Sequence, residues 1–330
     1  MRIAKWDNLK FGLIYCVVMG HFIQIMKCDS GFLRGLQFFI YTFHMPAFLF
    51  ISGLFSKRTV DGRRYDKILP YFFLYLFMKV LRFIVHFLIH GKAGGFRLLS
   101  ESGVPWFALT LFLCYLLTIA LSRFRFPYIL AVSVILGVMA GYDSNLGDFL
   151  TGMRLFTFYP FFLAGYGVPL EVVERFTRKK AVRICSAAAL AGALILSFVF
   201  ERQLYARLGF LKGKASYEAL NIGGAGGLYR GVYYVIAMFL IICVIAVTPS
   251  VQCVFSKWGG RTLQVFALHF SVLRVLVEGL HLKEWLKAVL PGYYGYLVPV
   301  MALLLTVALS AGVFEPFFKY VIYPGKNGKK

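Results

Sequence analysis

The sequence predicts an all-α polytopic membrane protein with about ten transmembrane helices and both termini cytoplasmic. Three observations carry this. The 330 residues are 60% hydrophobic and only 15% charged, whereas soluble domains of this size are about 45–50% apolar. Stretches of 17 or more nearly uncharged residues recur along the chain, each long enough to cross about 30 Å of hydrocarbon. The net charge of +22 sits in short segments between these stretches, where Lys and Arg set topology and meet anionic lipid. Such placement excludes a nucleic-acid function, and no module that reads RNA or DNA is present.

The apolar stretches follow in order. Leu9–Met26 lies between Lys5 and Lys27 and begins too close to a basic N-terminus for comfort as a mature segment. No small-residue cleavage site follows it, so it reads as a retained first helix rather than a signal peptide. Leu36–Phe55 runs from Arg34 to Lys57, and Pro70–His90 opens after the basic segment Lys57–Lys67. Val104–Leu121 stops before Arg123 and Arg125, after which Pro127–Gly141 begins. The fifth stretch and the sixth, Arg154–Val168, are short and punctuated by Gly and Pro, a pattern of broken or re-entrant segments. Ala181–Phe200 follows the basic run Arg175–Arg183. Gly231–Thr248, Thr262–Leu280 and Tyr293–Tyr320 complete the set. The longest loop, Glu201–Arg230, holds GGAGG at 223–227 and reads as a connector, with a flexible lid as the alternative. Residues 1–330 read as one integral-membrane unit without internal repeat or appended soluble domain.

Ten crossings place both termini on one side. That side receives 20 of the 36 Lys and Arg, the opposite loops receive 11, and five fall inside spans; by the positive-inside rule it is the cytoplasm. Six scattered cysteines without a CxxC pair read as small buried hydrophobes, not as a metal site or disulfide framework.

Chemistry concentrates in the first three stretches. His21 lies about 18 Å along the first helix from Leu9 at 1.5 Å per residue, and His44 about 12 Å back down the second, so the two reach similar depth. An ionisable group at membrane depth is costly and marks a functional site; a tie between helices is the plainer alternative. Lys10 precedes His21 by eleven residues, about three turns, so both project from one face. Asp7 lies one turn from Lys10 and is placed to pair with it. Lys79, Arg82, His86 and His90 form a stripe at spacings of three and four, with its outer members able to snorkel. In the ninth stretch Arg274 and Glu278 stand at i,i+4 with His269 a turn before. Arg58, Arg63, Arg64 and Lys67 read either as headgroup contacts or, with Lys10, as a holder of phosphates. Trp106 is a candidate for stacking on a sugar or adenine, or for plain packing.

Lys10-x10-His21, FHMP at 43–46 and ISG at 51–53 together resemble the membrane acyltransferase 3 family, in its branch of fucose 4-O-acetylase-like enzymes. PWF at 105–107, YPFFLAGY at 159–166 and LQVFALHF at 263–270 extend the resemblance over essentially the whole chain. It implies an O-acyltransferase moving an acyl group, usually acetyl, from cytosolic acetyl-CoA or another acyl-CoA to a hydroxyl of an envelope or exported carbohydrate, in the inner or plasma membrane of a bacterium. It places catalysis on His21 and His44 and the donor's phosphates on Lys10, Arg58, Arg63 and Arg64. Lys79, Arg82, Trp106, His269 and Arg274 join as substrate or cavity-lining candidates. No metal is expected. The expected partners are a carbohydrate or lipid-linked glycan acceptor and membrane lipid. The family more often has arginine where Lys10 stands. A transporter or flippase for a lipid-linked sugar, its path lined by the same histidines, is the rival reading.

Overall fold

The computed structural model describes residues 4–27, 30–92, 94–101 and 103–322; Cys28 and the terminal Lys326, Lys329 and Lys330 lie outside the described residues. Among the described residues the regular structure is helical, apart from an isolated bridge between Ser100 and Phe149. Its main helices are α1 (Ala4–Met26), α2 (Gly31–Leu54), α3 (Tyr65–His90), α4 (Trp106–Leu121), α5 (Phe126–Met139), α6 (Gly152–Gly167), α7 (Lys180–Val199), α8 (Gly226–Val247), α9 (Thr262–Arg274) and α10 (Val298–Leu309). Six helices among the described residues are long and apolar enough to cross a membrane, and eight if two bent pairs each count as one span. Trp106–Leu121 and Phe126–Tyr142 are shorter apolar helices.

Two stretches are bent, the sixth as its Gly and Pro led one to expect and the tenth against the single straight span read from sequence. The sixth turns by 90° between Gly152–Gly167 and Leu170–Thr177, where Pro169 cannot donate its missing N–H to a continuing helix. The tenth, expected as one span over 293–320, bends by 49° between Tyr294–Leu309 and Gly312–Phe318. The carbonyls freed at that break are taken up by α9 and the residue before it. Gln264 donates to the carbonyls of Leu309 at 2.7 Å and Ala311 at 2.9 Å, and Arg261 donates to Ser310 O at 3.3 Å. A helix end inside a membrane needs such partners.

α1 and α2 stand at the centre. Gln37 on α2, buried, donates to Gly20 O on α1 at 3.1 Å, fixing the two helices one residue from His21. At the other end of α1, Lys5 Nζ donates to Thr177 Oγ1 at 2.8 Å and Trp6 Nε1 to Glu174 at 3.0 Å. The α2–α6 crossing is tighter still. A Cβ on Gly53 would stand 2.0 Å from Phe162 O, and one on Gly165 would stand 2.0 Å from Phe50 O. Two glycines therefore let two backbones touch, the device by which small residues pack membrane helices. They belong to the ISG and YPFFLAGY motifs, which the fold thus joins.

The loop after α7 is packed rather than flexible. It forms two short helices, Glu201–Tyr205 and Leu208–Leu211. Arg34 grips Glu201 with two bonds, Nε at 2.5 Å and Nη2 at 2.8 Å. Arg230, counted in the sequence as a loop cation, is only 1% exposed. Its guanidinium lies 4.0 Å from the centroid of Phe210 and 5.5 Å from that of Tyr233, and donates to Phe210 O. Cation–π contacts of this kind hold a desolvated guanidinium, and here they press the loop onto the bundle. The GGAGG segment is absorbed into a 3-10 turn and the start of α8.

Candidate active site

Two cavities are stacked along α1 and α2. The lower, about 250 Å³, is mostly apolar and is lined by Lys10, Ile14 and Val17 from α1, Met45, Phe48, Ile51 and Ser52 from α2, Phe107 and Leu111 from α4, and Phe266 from α9. The upper, about 120 Å³, is polar and includes His21, Tyr41, His44, Met45, Trp106, Arg154, Lys212 and Phe270. Met45 belongs to both walls. The helical register explains the stacking: residues 10, 14, 17 and 21 recur at spacings of four, three and four, so one stripe of α1 lines both chambers. Residues 41, 44/45, 48 and 51/52 do the same on α2.

Two imidazoles at this level are fixed by backbone: His44, which lines the upper cavity, and His269, which packs on His21 but is not part of the lining. His44 is buried, and its Nδ1 lies 2.8 Å from Ile40 O. A carbonyl only accepts, so Nδ1 carries the hydrogen and Nε2 keeps its lone pair. His269, 0% exposed, is held likewise by the carbonyls of Val265 at 3.0 Å and Phe266 at 2.9 Å. Its ring centroid is 5.3 Å from that of His21. His21 Nδ1 and His269 Nε2 are buried without a hydrogen-bond partner among the described residues; atoms of this sort mark a place where water or a ligand belongs. Tyr41 packs on His44 at 4.8 Å between centroids.

Three cations complete the upper cavity, Arg154, Lys212 and Lys214, and none is among the candidates read from the sequence. Arg154 is buried, its guanidinium carbon 4.7 Å from the Trp106 ring centroid. The same rule that flags histidines at membrane depth applies to it, because Arg154 begins the sixth apolar stretch. Lys212 enters from the loop after α7, its Nζ 5.8 Å from the Tyr41 centroid. Burial, with Lys214 and Arg154 nearby, lowers the Lys212 pKa below the ordinary lysine value. Trp106 thus carries a guanidinium on its ring and lines the cavity as well.

The other predicted residues lie elsewhere. Lys10 pairs with Asp7 at 2.7 Å and lines the lower cavity. Arg58, Arg63 and Arg64 are exposed and line neither chamber. They sit in the connection between α2 and α3, whose neighbours Ser52 and Tyr71 do line the lower one. Lys79, Arg82 and Arg274 line a third, larger pocket instead of the histidine cavity. There Lys79 and Arg82 bind Glu101 at 3.0 and 2.7 Å. Arg274 binds Glu278 at 2.5 Å and also meets His86 and His90, at 3.3 and 3.0 Å. α9 ends there in a π-helical turn over Val275–Gly279, a feature frequent at functional sites.

Comparison with known proteins agrees with the family read from the first two helices. A family described as an acyltransferase domain matches residues 3–314. The nodulation protein NolL of Sinorhizobium fredii (strain NBRC 101917 / NGR234) is 24% identical over 293 residues, covering 83% of this chain and 79% of that protein. NolL of Mesorhizobium japonicum (strain LMG 29417 / CECT 9101 / MAFF 303099) is 24% identical over 295 residues, covering 83% and 78%. No solved structure matches. With a family match spanning nearly the whole chain and several helices of membrane-crossing length, the chain belongs to this acyltransferase family and is a multi-pass membrane acyltransferase.

Proposed function

We propose that the protein transfers an acyl group, acetyl first among candidates, from cytosolic acyl-CoA to a hydroxyl of a carbohydrate destined for the cell envelope of a bacterium, across the inner or plasma membrane. The observation that carries this is the stacking of a polar chamber holding His21, His44, Arg154 and Lys212 on an apolar one that reaches Lys10, with Met45 in both walls. The topology has ten spans and cytoplasmic termini. It puts Lys10 and the Arg58–Arg64 connection at the inner face, the histidines deeper.

The residues then divide the work. Arg58, Arg63 and Arg64, with Lys10, hold the donor's phosphates, since guanidinium forks suit phosphate. The lower chamber accepts the narrow donor arm. His21 takes the proton of the acceptor hydroxyl as its oxygen bonds to the acyl carbon. His44 positions that hydroxyl through Nε2, its other nitrogen being engaged by Ile40. Arg154 and Lys212 hold the negative charge that develops on the acyl oxygen. The carbon–sulfur bond breaks, His21 returns its proton to the departing thiolate, and ester and free thiol result. His269 stands behind His21 and orients it.

The test is transfer of radiolabelled acetyl from acetyl-CoA to envelope oligosaccharide by purified protein in lipid nanodiscs. His21→Ala is expected to lower turnover about 10²–10⁴-fold, the usual worth of a positioned base. Turnover at the wild-type rate would remove His21 from the mechanism. Substituting Arg63 and Arg64 by Ala is expected to raise the donor KM and leave acceptor preference unchanged. A flat donor KM would assign that loop to lipid headgroups.

A further inference from the structure

The largest polar pocket is not the histidine cavity but the one beside it, about 540 Å³, lined by Lys79, Arg82, Arg97, Arg274, Glu101 and Asp148 among others. Four cations face two carboxylates of the lining, and a third carboxylate, Glu278, binds Arg274 at 2.5 Å. Lys79, Arg82 and Arg274 are thus held in place, while Arg97 is exposed. Glu101, 1% exposed, fixes Lys79 and Arg82 together, and one carboxylate between two cations leaves a net positive charge. Lys79 is pinned further by the carbonyls of Arg97 at 2.7 Å and Ser100 at 2.8 Å. Arg82 is 37% exposed at its side chain and meets Glu101 through Nη1, out of five N–H donors in all. The backbone that walls this pocket also walls the active site. Ser100 and Glu101 face the pocket, while Gly103, Val104 and Trp106 line the histidine cavity. Arg154 Nη1 crosses between them to Glu101 O at 3.4 Å. Five residues of chain span at most about 18 Å, a distance that linked sugar rings cover.

We propose that this pocket binds an anionic group of the acceptor, so that the substrate class is an acidic glycan: either a sugar carboxylate or the phosphate of a carrier. The anion docks between Arg82, Arg97 and Arg274 while a neighbouring hydroxyl reaches over the 100–106 wall to His21 and His44. The proposal rests on the acyl-transfer reading above and supplies its acceptor.

The experiment is calorimetric titration of the full-length protein in nanodiscs with three probes: a glucuronate-containing disaccharide, its neutral glucose counterpart and inorganic pyrophosphate. The acidic disaccharide is expected to bind at least about tenfold tighter than the neutral one, with the preference shrinking as salt is added. Arg97→Gln, at an exposed side chain, and Arg82→Gln are each expected to weaken the acidic probe several-fold without altering the neutral one. Tight pyrophosphate binding with an indifferent disaccharide would assign the pocket to a carrier phosphate. Equal binding of charged and neutral probes, with no pyrophosphate binding, would overturn the proposal, as would anion affinity unchanged in both Arg variants. His21→Ala separates the two readings: it should abolish transfer and leave probe affinity intact. Transfer that survives His21→Ala beside an intact anion preference would sink the base assignment and spare this site.

Discussion

Single side chains carry the chemistry, and their environments set its pH dependence. Lys212 lies in a loop outside the spans, and burial with neighbouring cations lowers its pKa. A base with a lowered pKa keeps its charge only below that value, so its hold on developing negative charge fades as pH rises through it. The pH–rate profile is expected to bend downward on the alkaline side below the range of an ordinary lysine, and Lys212→Ala should lower the plateau and remove the bend. The cavity positions of His21, His44 and Lys10 were legible because an imidazole or ammonium inside an apolar stretch is costly and tends to face a polar interior, with a tie between helices as the plainer alternative. Arg154 was readable by the same rule. Lys212 was not, since only tertiary packing brings a loop lysine so far along the chain over the cavity; nothing in its neighbours marks it.

Helices turn those side chains into chambers. The α2–α6 contact depends on Gly53 and Gly165, where an added Cβ would lie 2.0 Å from opposing backbone. Gly165→Val is expected to destabilise the protein by at least about 1–3 kcal/mol, the usual cost of overpacking, read as a lower melting temperature in nanodiscs, with transfer falling as α2 and its His44 shift. Met45→Trp fills the shared wall of the two cavities and should cut turnover by about 10²-fold, as small misplacements near a reacting centre do. Binding of CoA lacking the acyl group should change far less. Helix existence was legible from length and apolarity. The break near Pro169 was legible from the Gly and Pro of that stretch, whereas the one at Ser310 is stabilised by Gln264 and Arg261, about 45 residues away, which no local pattern reveals.

For the molecule as a whole, the distribution of basic residues predicts orientation. Cysteines introduced at Lys57 and Lys92 should react with a membrane-impermeant maleimide from opposite sides, Lys57→Cys only after the inner face is opened; Lys57→Cys labelled from outside, with Lys92→Cys reached only after opening, would reverse the topology. The clasp between Arg34 and Glu201 holds the loop after α7, and the arginine lowers the pKa of the Glu201 carboxyl. A lowered folded-state value stabilises above the ordinary carboxylate range and is lost as pH falls through it. Acidification is therefore expected to loosen the loop, read as faster amide exchange over 201–212, and Arg34→Gln should show that exchange already at neutral pH. The stacked chambers have one last consequence. Ile14, Val17, Phe48 and Phe266 line, with Lys10, the mostly apolar lower cavity, and apolar passages resist ions by dewetting. Each elementary charge driven by 100 mV gains about 2.3 kcal/mol, so an enzyme with a wet bore from face to face would drain the cell's electrical gradient. On the proposed reading, an apolar lining that admits a slender donor arm while repelling ions would let the bundle pass a chemical group inward from one face and stay insulated.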